Sequence, residues 1–196
     1  DRVEGQVRCL ARVAVGVHAR YGQSARISIE DKDIRRAIGV VWNQVIRLTV
    51  EQVPLPNGTV ASLEIAHHPG GAAIVAIDNQ NRVCLLRQYR HAAGGWVDEL
   101  PAGKLDAGEA PLVCAKRELE EEAGMRALHW TPLGSFLTSP GVLTEAIHLF
   151  LARGLVPVAS RPEAHEVLEP RWLPFDEALA LASSGRLADG KSIVGL

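Results

Sequence analysis

Four glutamates crowd into the run Glu118-Leu119-Glu120-Glu121-Glu122, bracketed by Gly103 and Gly124. On a helix, Glu118, Glu121 and Glu122 stand at i, i+3 and i+4, so their carboxylates converge on one face while Glu120 points away. Like charges at that spacing destabilise a helix by roughly 0.2–0.5 kcal/mol per pair, and Arg117, four residues before Glu121, offsets only part of it. Something cationic belongs there. A hard divalent ion with oxygen ligands suits a set of carboxylates, Mg²⁺ above all, with Mn²⁺ as the alternative. Zinc is disfavoured: His67, His68, His91, His129, His148 and His165 are scattered, and His165-Glu166 lacks the second histidine of a zinc-protease helix. An acidic run is most often a solvated face, so the residues spaced around it have to decide.

The elements that must hold these acids can be read from punctuation and periodicity. Gly108 reads as a helix N-cap, Glu109 opens the first turn, Pro111 is tolerated there, and Gly124 suits a left-handed C-cap. Leu112, Ala115, Leu119 and Ala123 fall on one stripe, the face such a helix would bury. Before it, Trp42 to Val53 and Thr59 to Ala66 read as strands around the turn Pro54 to Gly58. Ala72 to Ile77 and Arg82 to Tyr89, joined by Asp78-Asn79-Gln80-Asn81, read as a buried hairpin. Leu133 to Leu137, Ala146 to Ala152 and Val167 to Leu173 are further strands, and Phe175 to Ser184 is helical. Interleaved strands and helices give a mixed α/β (α+β) class with layered packing.

The chain as a whole narrows the chemistry. Its 196 residues are 47% hydrophobic, enough for one domain of enzyme size with a substantial core. A net charge of -2 leaves no general electrostatic footprint for nucleic acid or an anionic membrane, so any phosphate chemistry must be local. Cys9, Cys84 and Cys114 are widely spaced without a CxxC pair and read as free thiols of a reducing, cytoplasmic compartment. No apolar run approaches the roughly 18 to 20 residues that span a bilayer. Residues 5 to 29 carry four arginines and no acid, a feature shared with organelle transit peptides; Arg12 and Arg20 interrupt any apolar stripe, which favours ordinary basic structure. Ser28-Ile29-Glu30-Asp31 has the form of a capping box for a short helix to about Ile38.

The full pattern is Gly103, five residues, Glu109, seven residues, Arg117-Glu118-Leu119, one residue, Glu121-Glu122, one residue, Gly124. It resembles the Nudix box at every defining position. Arg87-Gln88-Tyr89-Arg90, Glu99-Leu100-Pro101-Ala102-Gly103, Ser139-Pro140-Gly141 and the following Glu145 are similar to the ADP-ribose pyrophosphatase branch of that family, and the resemblance covers about residues 45 to 196. It implies a Nudix fold: a mixed sheet sandwiched between helices, here with a β-rich N-terminal extension over residues 1–66 and a catalytic domain over 67–196. It also implies Mg²⁺ held by Glu118, Glu122 and the Ala102 carbonyl, with Glu121 coordinating or assisting a second ion. The general base would come from Glu166 or Glu163, Glu166 having the closer spacing to Trp172-Leu173-Pro174. Glu109 and Arg117 would orient the metal-binding face.

Substrate contacts implied by the same resemblance are Glu99 and Glu145 toward sugar hydroxyls or metal-bound water, and Ser139 in the loop preceding Glu145. Arg87 and Arg90, at a strand end, suit phosphate or ribose, or are simply exposed strand arginines. A homodimer is expected, in which Trp42 could stack on a base or pack at the interface. Elementary chemistry agrees: a pyrophosphate repels an incoming nucleophile, so its hydrolysis needs cations on its oxygens and a base for the attacking water. The expected activity is hydrolysis of ADP-ribose or a related nucleoside diphosphate sugar. GDP-mannose or another nucleoside diphosphate derivative, and a non-catalytic nucleotide-binding module, are the alternatives; neither nucleic acid nor membrane is an expected partner.

Overall fold

The computed structural model describes residues 40–42, 45–163 and 165–196. Cys9, the capping box at Ser28, the basic N-terminal segment and the Trp42 side chain lie outside the described residues. The first described strands are β1 (Val40–Trp42), β2 (Arg47–Pro54) and β3 (Val60–His67), which form one three-stranded sheet in that order. Then follow β4 (Gly71–Ala76), β5 (Arg82–Arg90), β6 (Gly95–Glu99) and β7 (Ala102–Lys104). Helix α1 (Pro111–Ala123) precedes β8 (Met125–Leu137), β9 (Ala146–Pro157), β10 (Leu168–Pro174), α2 (Phe175–Ser183) and α3 (Gly190–Gly195). None of the described helices is long and apolar enough to cross a membrane.

The expected hairpin of Ala72–Ile77 with Arg82–Tyr89 does not form. Beyond a single bridge between Ile77 and Val83 the two strands part. β4 enters a four-stranded sheet of order β7-β4-β9-β8, parallel to β9 and antiparallel to β7, while β5 becomes the centre of a second sheet, β10-β5-β6. The reason lies in burial: all six residues of β4 are buried, as are Val83 to Leu86 of β5. Strands buried on both faces serve best as inner strands of separate layers. One face of the pair, with Ala72, Ile74, Cys84 and Leu86, packs under Ala115, Leu119 and Ala123 of α1. The other, with Val75, Ile77, Val83 and Leu85, packs on Leu100, Ala178 and the C-terminal Leu196. The mixed arrangement between helices thus agrees with the expected class.

Helix α1 buries the stripe read from the sequence, with Ala115 and Leu119 at 0% exposure. Its start is later than expected. Ala110, not Gly108, is the N-cap, because Pro111 fits the first helical position and forces the residue before it to be extended. Glu109 therefore lies just outside the helix, and Gly108 supplies a turn with φ +76°. Gly124 ends the helix in the left-handed conformation, its N–H donating to Leu119 O, as anticipated. β8 and β9 run well beyond the segments legible from the sequence, to Met125 and Pro157. Both buried thiols, Cys84 and Cys114, are free, and burial pushes each up to about 12.

The turn that separates the two sheets is held by one carboxylate. Asp78 Oδ1 accepts from Gln80 N (2.9 Å) and Arg82 N (2.8 Å), and Oδ2 accepts from Arg82 Nε (2.8 Å). Burial alone would raise its pKa, but the hydrogen bonds from Arg82 and Gln80 outweigh it and hold the carboxyl below its usual value. A lowered folded-state pKa contributes stability above the unfolded value, lost as pH falls through the folded one. Asp78→Asn is expected to lower unfolding free energy by about 1 kcal/mol at pH 7. Urea titrations should show that deficit shrinking below about pH 4.

Candidate active site

Four parts of the chain converge on a cavity of about 590 Å³: α1 and β7, the loop after β9, the segment around Glu145, and the C-terminal helix. Glu118 and Glu122 are buried, at 7% and 1% exposure, because their positions on α1 turn toward the sheet rather than toward solvent. Glu118 lies against β7 where Gly103 has no side chain: a Cβ there would fall 1.8 Å from Glu118 Oε1. Glu122 sits behind it, with Oε2 accepting from Ala102 N at 2.9 Å. Glu121, more exposed, lines the cavity beside Glu118.

The cation that these acids find within the chain is Arg117. Its Nη1 contacts Glu118 Oε1 at 2.6 Å and Glu121 Oε2 at 3.2 Å, while Nε and Nη2 donate to Glu109 at 3.1 and 3.0 Å. The sequence suggested a pair with Glu121 alone; the guanidinium in fact joins three carboxylates, and Glu109 reaches it from outside the helix. The hydrogen bond to Glu109 is the largest influence raising Arg117, and it holds Glu109 below the usual carboxylate range. Burial raises Glu118, which Arg117 only partly offsets, and the charges of Glu121 and Glu166 add to the rise. Burial also pushes Glu122 up to about 8, against the Ala102 N–H and with repulsion from Glu118, Glu166 and Glu99.

Among the described residues, no group of three His, Cys, Asp or Glu side chains is closed into a ready metal cage. The donor set nonetheless fits a divalent cation of the hard class: buried carboxylate oxygens from Glu118 and Glu122, Glu121 beside them, and the Ala102 backbone on the same wall. Two acids held above their ordinary range by burial and mutual repulsion are stabilised in the charged form by a cation between them.

The remaining predicted residues divide. Arg90, Glu145, Glu163 and Glu166 line the cavity, as does Ala102. Glu166 faces the α1 acids closely enough to raise both Glu118 and Glu122, and its Oε2 accepts from Glu163 N at 2.8 Å. The Glu163 carboxylate pairs instead with His165, at 3.4 Å. Arg87 and Ser139 are not among the lining residues; Arg87 stands over the Trp96 ring, 5.4 Å from its centroid, and the Ser139 carbonyl accepts from Val142 and Leu143 N. Glu99, only 2% exposed, is held by Arg90 and Lys191.

Among the lining residues missed by sequence reasoning are His68, Asp189 and Lys191. His68 Nδ1 lies 3.2 Å from Glu145 Oε1 and accepts from Gly70 N at 3.1 Å. Asp189 caps α3 through Ser192 N, a local signal that was readable in the sequence as Asp-Gly-Lys-Ser before a short apolar run. The Gly103 contact generates a direct test. Gly103→Ala should displace the Glu118 carboxylate, weakening divalent-metal binding about tenfold or more by calorimetric titration, with a Tm shift of only a few degrees.

The NUDIX domain family model matches residues 67–193. The chain is 41% identical over 169 residues to the methanol dehydrogenase activator of Bacillus methanolicus, covering 85% of this chain and 91% of that protein. It is 37% identical over 167 residues to the ADP-ribose pyrophosphatase of Bacillus subtilis strain 168, covering 84% and 90% respectively. The solved structure of an ADP compounds hydrolase superposes with a TM-score of 0.69 over 80% of this chain and 85% of that one, at 19% identity, a likeness of fold. With Gly103, Arg117, Glu118 and Glu121 of the box lining one cavity and these matches running across most of its length, the chain belongs to the Nudix family, as an enzyme of the ADP-ribose pyrophosphatase-like branch.

Proposed function

We propose that the protein hydrolyses the pyrophosphate bond of ADP-ribose or a closely related nucleoside diphosphate sugar in the presence of Mg²⁺, with Mn²⁺ able to substitute. The observation that carries this reading is Glu118 lining the cavity with the buried Glu122 behind it, and Glu166 lining the same cavity near enough to raise both. Glu118, Glu121, Glu122 and the Ala102 carbonyl would hold the ion. When bound, it neutralises charge on the phosphate oxygens and makes an attacking water more acidic. Gly103 keeps room for Glu118, and the Ala102 N–H orients Glu122.

Glu166 accepts the proton of the attacking water. The water oxygen bonds to one phosphorus and the bridging P–O bond breaks. The products are a nucleoside monophosphate and a sugar phosphate. The choice of Glu166 over Glu163 rests on its electrostatic reach to the α1 acids, whereas Glu163 is occupied with His165. Glu145, which lines the cavity with His68 Nδ1 3.2 Å away, would accept a hydroxyl of the sugar. The extension over residues 1–66 would supply the contacts between two copies.

Glu122→Gln is expected to lower Mg²⁺-dependent release of AMP from ADP-ribose about 100-fold or more, while the amide oxygen it introduces still accepts from the Ala102 N–H. The same variant tests the raised carboxyl. A folded-state pKa above the unfolded value contributes stability at low pH that is lost as pH rises through about 8. In EDTA, Glu122→Gln should therefore melt at a higher temperature than wild type at pH 9 and at a similar one below pH 5. Glu166→Gln should reduce turnover about 10²–10⁴-fold with metal affinity unchanged, and Glu163→Gln should stay within a few-fold. Turnover in Glu166→Gln equal to wild type would remove it as the base.

A further inference from the structure

The loop that carries Glu166 is tied to the helix that carries the metal-binding acids. It runs from the end of β9 at Pro157 to the start of β10 at Leu168. Its first residues lie against the C-terminal end of α1. Val158 N donates to Gly124 O at 2.9 Å, and Glu121 O accepts twice, from Arg161 N at 3.0 Å and from Ser160 Oγ at 2.8 Å. Gly124 leaves room for this approach: a Cβ there would fall 3.2 Å from Val158 O and 3.3 Å from Ser160 Cβ. At the far end of the loop Val167 O accepts from Tyr89 N at 2.9 Å, and Leu168 enters the sheet opposite Gln88.

The Glu121 carbonyl is one of the last four of α1, which have no partner inside the helix. One donor would satisfy it, and Arg161 N already does so. The Ser160 hydroxyl adds a second bond to the same oxygen, and two bonds from neighbouring residues fix the direction in which the chain leaves the helix. Residues 162 to 166 are then the whole span between this clip and the Val167 bond, where without it the span would begin at 158. A shorter span has fewer conformations to lose. Within it, Glu166 N donates to Glu163 O at 2.9 Å while Glu166 Oε2 accepts from Glu163 N at 2.8 Å, which closes a turn around the carboxylate. The turn of α1 that bears Glu118, Glu121 and Glu122 is thus also the mount for the root of the Glu166 loop, and one rigid element places both.

We propose that Ser160 is a positioning residue for Glu166: its hydroxyl, bonded to the Glu121 carbonyl, holds the root of the loop so that the Glu166 carboxylate stands at a fixed place relative to the acids of α1. Ser160 is not among the residues that line the cavity, and it acts through the loop. Its part in turnover rests on the reading of Glu166 as the base; the clip itself does not, and the experiment reads the two separately.

Hydrogen exchange of the full chain in EDTA, without substrate, tests the clip. In Ser160→Ala the Arg161 amide should exchange about three- to tenfold faster while amides in the middle of α1 keep their rates, and Ser160→Thr, which retains a hydroxyl, should restore protection. Steady-state assays with ADP-ribose, or with GDP-mannose if wild type prefers it, test the consequence. Ser160→Ala should lower kcat about three- to tenfold with KM and Mg²⁺ affinity within about twofold, again restored by Ser160→Thr. In a Glu166→Gln background the same substitution should cost less than about twofold, because the group it positions is already gone.

Unchanged exchange at Arg161 overturns the proposal whatever the enzyme does, and so does a Ser160→Ala loss that multiplies in full with that of Glu166→Gln. A Ser160→Ala kcat equal to wild type, with Glu166→Gln impaired, refutes the positioning role alone and leaves the base in place. Faster exchange together with wild-type turnover in Glu166→Gln refutes the base reading, and with it any action of Ser160 through Glu166.

Discussion

The site depends on carboxylates placed where water cannot stabilise them. Glu118 and Glu122 occupy helix positions that an apolar residue could fill, against a strand whose backbone approaches closely only because Gly103 lacks a Cβ. Their burial is unfavourable for the isolated chain, and it is what makes a cation more strongly held there than on a solvated acidic surface. Arg117 moderates the cost from one side and the Ala102 N–H from the other. Local stability is given up at these positions and supplied by the core beneath them, where Leu119 and Ala115 of the same helix are fully buried.

That core also explains the geometry around Glu99. β5 is the inner strand of its sheet and ends at Arg90; β6 returns antiparallel and ends at Glu99. Leu86 and Glu99 are opposite one another, so the carboxylate is carried toward the interior by the register that buries its neighbours. The C-terminal helix closes over this point through the Ser192 and Asp189 bonds. Acids of α1 and the cations Arg90 of β5 and Lys191 of α3 thus line the same cavity.

Much of this was legible in the sequence. The box spacing identified the acids of α1, the apolar stripe identified the face it buries, and Gly124 identified its end. What failed were matters of partner choice. Adjacent apolar runs in β4 and β5 look like a hairpin, but periodicity does not say that two doubly buried strands belong to different layers. β8 was mostly hidden because its residues are largely exposed and so lack apolar alternation. Lys191 and His68 carry no local pattern; they become site residues only through contacts with Glu99 and Glu145, far away in the chain. Glu99 was identified by resemblance, yet its partners could not be, because pairing across such sequence distances is a property of topology.

The link between His68 and Glu145 reaches further than the cavity. Ala66 N donates to Val142 O, Thr144 N donates to Ala66 O, and the Thr144 hydroxyl accepts from His68 N. The last residues of β3 and the loop that ends in Glu145 are therefore sewn together by main-chain bonds. The outer sheet and this wall form one mechanical piece, so a tilt of β2 and β3 would travel into the cavity as a shift of Glu145, widening or narrowing it.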